Sequence, residues 1–420
     1  MHLSEQEEVF ILTGSLDTLL DFFSSEWLRL HILQTVDFYF PRCIDRAGGY
    51  FHCYLDDGTV CDELNKSLVG TARFIYIFST GVLVGGPSVW RSAVEHGLRF
   101  LNDGFRDETH GGYYWLLKGR YVPDTGKYAY GHAFVLLALS TAYKAGFTYV
   151  RPLIDDIFNL LNQYFRDSVT GLYVDRLSED WSSVDPYRGQ NANMHLCEAM
   201  IAAFEATGDR KFLQTAYRLA YTVTVCLTGE TYGMIWEQYR WNWQPDWTYH
   251  EAYAGNEFRL YGFIPGHSIE WSKLLIKLSD YYSDLWIVNG AQHLFLQAWQ
   301  AGKDDLYGGL FFSIVPDGSV IDDGKYYWVM AETIGASALL AAKTGDPYFL
   351  ELYQKMFYYC WSYFIDHIYG GWYAHLDRKN RRTSRIKSGI TKTDYHPITN
   401  CLEAFRVFGW AKGDRFEFIK

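Results

Sequence analysis

The feature that most constrains the fold is a glycine–aromatic motif that occurs six times along the 420 residues. Successive motifs begin 63, 60, 62, 75 and 62 residues apart. Several are followed by polar turn residues and a second short extended stretch, a combination that predicts β-hairpins. A supersecondary unit recurring at a steady period indicates an architecture of stacked repeats. The motifs are GGYFH from Gly48, GGYYW from Gly111, GLYVD from Gly171, GMIWE from Gly233, GGLFF from Gly308 and GGWYAH from Gly370.

Two helical patterns lie between consecutive motifs. The stretch before a motif is amphipathic and charged, as in residues 88–103 and 150–165. The stretch after it is almost uniformly apolar, and a helix that is apolar all round is buried on every side. Each repeat therefore predicts an outer helix, a hairpin and an inner helix. Six repeats in a ring predict an all-α fold, an (α/α)6 barrel with short β-hairpins between outer and inner helices. No linker rich in Pro, Gly or Ser divides residues 1–420, so we expect one domain.

Charge and cysteine usage exclude several classes of protein. The formal net charge is -11 with scattered acidic residues, whereas a nucleic-acid or membrane-surface partner favours a basic face. No apolar run reaches the roughly 18 residues of a membrane span, and the N-terminus lacks a signal-peptide pattern. The seven cysteines show no zinc-type spacing. We therefore expect free thiols, a cytoplasmic location, and neither nucleic-acid nor membrane partners.

Aromatic residues make up 18% of the chain, with 15 Trp, 34 Tyr and 28 Phe. Aromatic faces stack on the apolar faces of sugar rings, and Tyr and Trp also offer a polar group to hydroxyls. The same residues fill the space between packed helices equally well. Composition alone leaves both explanations open.

The repeat predicts where side chains that bind or react with a ligand can lie. Every inner helix follows a hairpin, so the N-terminal ends of the inner helices should share one rim of a central cavity. The long irregular stretch at 240–262 precedes one of these helices, and its length is typical of a lid or binding loop. Polar or aromatic residues near the predicted helix starts are Tyr130, His132, Asn193, His195, His267, Glu270, Trp328, Glu332 and His396.

His267 and Glu270 are three positions apart and therefore neighbours on one helix face. The partial positive charge of a helix N-terminus lowers a histidine pKa and stabilises a carboxylate. A neutral imidazole oriented by a carboxylate is a competent general base. Ordinary helix capping explains the same two residues, so both interpretations stay open at this point.

His195 and Glu198 repeat the same spacing one inner helix earlier. Carboxylate–histidine pairs on facing helices can hold two metal ions, which makes a metal site an alternative. Such a centre needs more converging carboxylates, so we expect no metal and interpret Glu198 as structural.

Arg73 lies in an apolar helix, where a buried charge requires either an acid or a hydroxyl-rich or anionic ligand. His396 precedes a proline at a predicted helix start, where proline is tolerated.

Four stretches, together with their order, resemble the N-acylglucosamine 2-epimerase superfamily. Within that family the chain is most similar to the mannose and sulfoquinovose aldose–ketose isomerases. The resemblance implies an (α/α)6 barrel, sugar isomerisation or 2-epimerisation without metal or other cofactor, a monosaccharide substrate, and a possible homodimer. The stretches are GQNANMHLCEAMIAAFEATGD, FRLYGFIPGHSIEWSKLL, YYWVMAETIGA and YHPITNCLEA.

Carried over by position, the resemblance makes His267 and His396 the catalytic acid/base pair, with Glu270 assisting His267. Ala374 stands where the sulfosugar enzymes have a polar residue, which favours a neutral hexose. We therefore expect mannose-to-fructose isomerisation through a cis-enediol. The alternatives are a sugar 2-epimerase of the N-acylglucosamine or cellobiose type, a sulfoquinovose isomerase, a glycoside hydrolase, or a non-catalytic sugar-binding protein. The implied sugar-binding residues are Arg73, Tyr130, Asn191, His195, Trp328 and Glu332.

Overall fold

The computed structural model describes residues 21–249, 262–315 and 317–411. Twelve α-helices of ten or more residues lie in these ranges, and outer and inner helices alternate along the chain. The outer helices are α1 Ser25–Asp37, α3 Val89–Asp103, α5 Arg151–Leu160, α7 Arg210–Tyr221, α9 Leu285–Gly302 and α11 Pro347–Tyr363. The inner helices are α2 Leu68–Leu83, α4 Ala129–Lys144, α6 Gln190–Thr207, α8 Pro265–Leu278, α10 Tyr327–Thr344 and α12 Tyr395–Ala411.

Short antiparallel strands connect outer to inner helices, as the glycine motifs predict. None of the described strands exceeds four residues. They are β1 Cys53–Leu55, β2 Val60–Asp62, β3 Asn65–Ser67, β4 Leu116–Lys118, β5 Tyr121–Asp124, β6 Lys127–Tyr128, β7 Arg176–Leu177, β8 Arg188–Gly189, β9 Gln238–Tyr239, β10 Ser313–Ile314, β11 Val320–Asp322, β12 Lys325–Tyr326, β13 His375–Leu376 and β14 Ile386–Ser388.

Strand pairing links each repeat to the next one. Within a repeat, β1 pairs with β2, β4 with β5, and β10 with β11. The strand that precedes an inner helix also pairs with the following repeat, as β3 does with β4, β6 with β7, β8 with β9, and β12 with β13. Finally β14, before the last inner helix, pairs with β1 of the first repeat. The first and last repeats are therefore hydrogen-bonded neighbours.

Helix packing follows the same order. Each inner helix contacts the next inner helix along the chain, and α12 contacts α2. Each outer helix packs mainly on one inner helix: α1 on α12, α3 on α2, α5 on α4, α7 on α6, α9 on α8, and α11 on α10. The inner helices are buried on nearly all sides, whereas α3 and α7 bury a single stripe. The distinction drawn from apolar patterning is confirmed.

The first glycine of each motif adopts a conformation that explains its recurrence. All six have a positive φ, from 74° at Gly171 to 131° at Gly48. A residue with a Cβ atom adopts this left-handed backbone only at a steric cost, so the turn into each hairpin favours glycine.

Two sequence expectations extend beyond the described residues. Of the predicted lid at 240–262, residues 250–261 lie outside them, as do residues 1–20 and 412–420 of the predicted domain. Among the described helices, none combines the length and apolar character needed to span a membrane.

Candidate active site

Two polar residues near the inner-helix starts, His132 and Asn193, form hydrogen bonds with the hairpin segments. His132 Nε2 accepts a hydrogen bond from the Tyr113 backbone N–H at 3.1 Å, and its Nδ1 lies 2.7 Å from the Tyr128 carbonyl. Asn193 Oδ1 accepts from the Tyr173 N–H at 2.8 Å in the next repeat. Both side chains tie a hairpin to its inner helix and are satisfied by the backbone.

His267 lies in the first turn of α8, where Pro265 sets the helical φ without needing a hydrogen-bond acceptor. Its Nδ1 is 2.8 Å from Oε1 of Glu237, and both side chains are buried. Gln190 Nε2 donates to the two oxygens of Glu237 at 3.1 and 2.9 Å. The Gln190 oxygen accepts from Trp271 Nε1 at 2.7 Å. This network orients the imidazole with Nδ1–H toward the carboxylate and leaves Nε2 for a ligand.

The carboxylate that orients His267 therefore differs from the one expected. The sequence paired His267 with Glu270, three residues on, but the structure pairs it with Glu237 from the fourth hairpin. A signal for Glu237 was present, since it is the acidic fifth residue of GMIWE. Glu270 lies near His195 instead. Because α8 is buried on nearly every side, residues three positions apart on it can contact different neighbouring elements.

His396 forms a second histidine–carboxylate pair in the first turn of α12. Its Nδ1 is 2.7 Å from Oε1 of Glu332 on α10. Glu332 also accepts from Asn400 Nδ2 at 2.8 Å and from the buried ammonium of Lys273. Burial holds the pKa of His396 well below its usual value, and the nearby cations Arg73 and Lys273 lower it further. His396 is therefore neutral near pH 7.

Trp328 lies beside both histidines. Its ring centroid is 4.9 Å from that of His267 and 5.7 Å from that of His396. The indole is half-buried. Two histidines, each oriented by its own glutamate, therefore contact a single aromatic ring.

His195, on α6, contacts both Glu198 and Glu270. Its Nδ1 is 3.2 Å from Oε2 of Glu198 and 3.8 Å from Oε1 of Glu270. Glu198 also accepts a hydrogen bond from the Tyr395 hydroxyl. The Tyr130 ring lies edge-on to His195 at 5.1 Å. Glu198, interpreted from sequence as structural, thus contacts a predicted site residue directly.

Glu270 is wholly buried, and neither of its carboxyl oxygens has a hydrogen-bond partner among the described residues. One of its oxygens belongs to a group, with Glu332 and His396, whose ligand atoms lie within 4.8 Å of one another. Burial raises the pKa of Glu270 well above its usual value, and the charges of Glu332 and Glu198 raise it further. A buried carboxyl group without a donor is the state expected of a group that meets a ligand.

Arg73 reaches the same cluster from α2. It donates to the Thr391 carbonyl at 2.6 Å and to the Tyr130 hydroxyl at 3.2 Å. The guanidinium lies over the rings of Phe134 and Tyr395, at 4.4 and 4.9 Å from their centroids. No carboxylate of the described chain forms an ion pair with it, so of the two partners considered from sequence, a buried acid is not found there.

Asn191 occupies the first turn of α6, four residues before His195 and on the same face. Its Oδ1 is buried and has no partner within the described part of the chain. The other eight predicted residues are linked to one another by the contacts above. Within this cluster, two sets of side chains bring possible metal-ligand atoms within 4.8 Å of one another: His195–Glu198–Glu270 and Glu270–Glu332–His396.

Proteins similar to this chain include sugar isomerases and sugar 2-epimerases. The family model for N-acylglucosamine 2-epimerase matches residues 49–400. A D-mannose isomerase from Marinomonas mediterranea is 39% identical over 92% of this chain and 98% of that protein. A D-mannose isomerase from Thermobifida fusca is 33% identical over 84% of this chain and 86% of that protein. A crystal structure of D-mannose isomerase superimposes with a TM-score of 0.90 at 38% identity, covering 93% of this chain and 100% of that one.

Proposed function

Because this chain belongs to the N-acylglucosamine 2-epimerase family, we propose that it is an aldose–ketose isomerase that converts mannose to fructose. The observation that carries the proposal is the pair of carboxylate-oriented histidines, His267 with Glu237 and His396 with Glu332, beside Trp328. Its similarity to D-mannose isomerases over most of the chain supports the choice of substrate.

We propose that the reaction begins with opening of the sugar ring, assisted by His195 and the carboxyl group of Glu270. Both lie together in the buried cluster, whereas Glu332 already accepts from Lys273, Asn400 and His396. A carboxyl group whose pKa is raised can hold a proton at neutral pH and donate it to the ring oxygen.

Proton transfer between carbons follows. His396 is neutral, and its Nε2 removes the C2 proton of the open-chain aldose. The imidazolium so formed exchanges its proton with water and then protonates C1. The hydroxyl proton at O2 must move to O1, a transfer that His267 assists. Arg73, lying over two aromatic rings, stabilises negative charge on the enediol oxygens. Tyr130 and Asn191 bind sugar hydroxyls, and Trp328 packs against the sugar carbons.

We also propose that residues 1–420 form a single domain folded as an (α/α)6 barrel. Support comes from the contacts of each inner helix with the next, from α12 against α2, and from the pairing of β14 with β1. In such a ring, all six inner helices begin after the hairpins, at the end where the candidate site lies.

A sugar 2-epimerase is the second candidate. The specific observation in its favour is that two oriented histidines are present, since a second acid on the opposite face of the enediol would reprotonate C2. The same residues would then return an epimer instead of a ketose.

The test is incubation of the purified protein with mannose in D2O and excess EDTA, followed by proton NMR. Fructose carrying deuterium at C1 supports isomerisation, and glucose without fructose identifies a 2-epimerase. No change in mannose, fructose or N-acetylmannosamine overturns both proposals. Activity that returns only after Zn²⁺ or Mn²⁺ is added to the EDTA-treated protein would contradict a metal-independent mechanism.

Variants separate the proposed roles from general damage to the fold. His267→Gln and His396→Gln should each reduce turnover by about 10²-fold or more while the protein stays folded. His293→Gln, on the exposed face of α9, is the matched control and should retain full activity.

A further inference from the structure

The segment that leads into the last inner helix differs from its counterparts. We call residues 389–394, between β14 and α12, the arch. Thr393 and Asp394 have φ values of 49° and 51°. In the described ranges no other two adjacent non-glycine residues are both left-handed. The residues that precede the five other inner helices are all extended: Ser67, Tyr128, Gly189, Ile264 and Tyr326.

A left-handed backbone is unfavourable for any residue with a Cβ atom and most unfavourable for a β-branched one such as Thr393. Such a conformation persists only where surrounding contacts hold it. Two adjacent left-handed residues in the arch therefore require a specific source of stabilisation.

A buried ion pair supplies that stabilisation. The Lys392 ammonium contacts the Asp394 carboxylate and donates to the Trp372 carbonyl at 2.6 Å. The second oxygen of Asp394 accepts from the Tyr39 hydroxyl at 3.0 Å and from the Trp372 N–H at 3.2 Å. Lys392 and Asp394 are 5% and 0% exposed as side chains, so water hardly competes for these contacts. The pair ties the arch to the last hairpin and to the loop after α1.

Three contacts of the candidate site begin at the arch or directly after it. The Thr391 carbonyl accepts from Arg73 at 2.6 Å. Tyr395, the next residue after the arch, donates its hydroxyl to Glu198, which contacts His195. His396 follows and meets Glu332 at 2.7 Å. A change in the backbone direction of the arch would move all three contacts together.

We propose that Lys392 and Asp394 are positioning residues, which hold the arch in its left-handed conformation and thereby set the placement of His396, Tyr395 and Arg73. The kinetic part of this inference rests on the proposed isomerase function. Neither residue touches the substrate, because both act through the backbone that carries the site residues.

The test compares two buried Lys–Asp pairs. In the arch, Lys392→Met with Asp394→Asn removes both charges while keeping similar side-chain shapes. The matched control is Lys127→Met with Asp107→Asn, a fully buried pair at 2.5 Å in the second repeat. Both double variants should lower Tm. We expect only the arch variant to lower kcat, by about 100-fold with KM changed less than threefold, because a misplacement of about 1 Å costs roughly that factor.

Two further variants keep the test decisive. Asp394→Asn alone provides a milder change if the arch double variant does not fold, and it should lower kcat in the same direction. Thr393→Gly keeps the ion pair and takes a positive φ without steric cost, so it should retain kcat within threefold. Equal kcat losses in the two double variants, or an unchanged kcat in a folded Asp394→Asn protein, would overturn the inference.

A readout that does not depend on turnover separates this inference from the proposed function. The imidazole ¹⁵N resonances of His396, assigned with His396→Gln, report its hydrogen bond to Glu332. They should shift in the arch variant and stay unchanged in the Lys127/Asp107 variant. If no aldose is isomerised but the shift appears, the proposed function fails and the positioning role stands. An unchanged His396 spectrum in the folded arch variant removes the positioning role.

Discussion

The imidazole Nδ1 of His267 and the carboxylate of Glu237 lie 2.8 Å apart and belong to different structural elements. Glu237 directly precedes β9, and His267 lies in the first turn of α8. Gln190 at the start of α6 donates to the same carboxylate, so residues of three elements fix one imidazole.

Replacing that carboxylate provides the first prediction. Glu237→Gln should lower kcat on the order of 10²-fold, because an amide does not hold Nδ1–H in the orientation that leaves Nε2 free as acid or base. KM should change little, since Glu237 meets the histidine and not the sugar. Steady-state kinetics on mannose measures both quantities.

The matched control for this change is Glu230→Gln, an exposed glutamate in the same connection. It should leave kcat and KM at parental values. If Glu237→Gln retained kcat within threefold, or if Glu230→Gln reduced it equally, the orienting role of Glu237 would be excluded.

The main features of the fold were predictable because the sequence repeats the same motif and the same apolar helix pattern at regular intervals. Six glycines with positive φ recur at nearly constant spacing, and each is followed by an apolar helix. The common direction of those helices also predicts that His195, His267, Glu332 and His396 gather at one end. The contacts of the structure do bring these four into one cluster.

Partners within the cluster were not predictable in the same way. Helix α8 is buried almost all round, so no amphipathic stripe indicates which direction His267, Glu270 or Lys273 faces. Their partners depend on packing between helices, and His267 meets Glu237 from a hairpin 30 residues away. For the same reason His132 and Asn193, near helix starts, turn to the hairpins instead of the cluster.

The protonation of His396 provides a second prediction. Burial lowers its pKa well below 6.5, and Arg73, His195 and Lys273 act in the same direction. The neutral imidazole should therefore persist in the folded protein well below pH 6.5. A pH titration followed by imidazole ¹⁵N NMR measures the midpoint, and a midpoint at or above 6.5 would contradict the expectation.

The stability of the protein should fall in mild acid, partly because of His132. Burial lowers the pKa of His132 to about 4, from 6.5 in an exposed histidine. Between these values the unfolded chain binds a proton that the folded protein does not, so stability is complete above pH 6.5 and decreases as the pH falls. The loss is about 1.4 kcal/mol per pH unit for this one group. Protonation would also destroy the acceptor that Nε2 offers to Tyr113 N–H.

His132→Asn tests this effect, because Asn193 performs the corresponding role in the next repeat without titrating. The variant should lose about 2 kcal/mol less stability than the parent between about pH 7.5 and about pH 5. Urea unfolding at the two pH values measures the difference. Equal losses in the two proteins would show that His132 does not contribute.

The cation Lys273 should matter more to folding than its single hydrogen bond suggests. It is 1% exposed and contacts Glu332, and its charge also acts on Glu270 and Glu198. Lys273→Met leaves buried carboxylates without their counter-charge and should cost about 3–5 kcal/mol in the free energy of unfolding at neutral pH. The cost should shrink as the pH falls, because a protonated Glu332 needs no cation.

The matched control is Lys343→Met, which breaks an exposed ion pair with Asp280 and should cost less than about 1 kcal/mol at any pH. Urea unfolding of both variants at about pH 8 and about pH 5 is the measurement, and similar small losses would show that Lys273 does not neutralise the cluster.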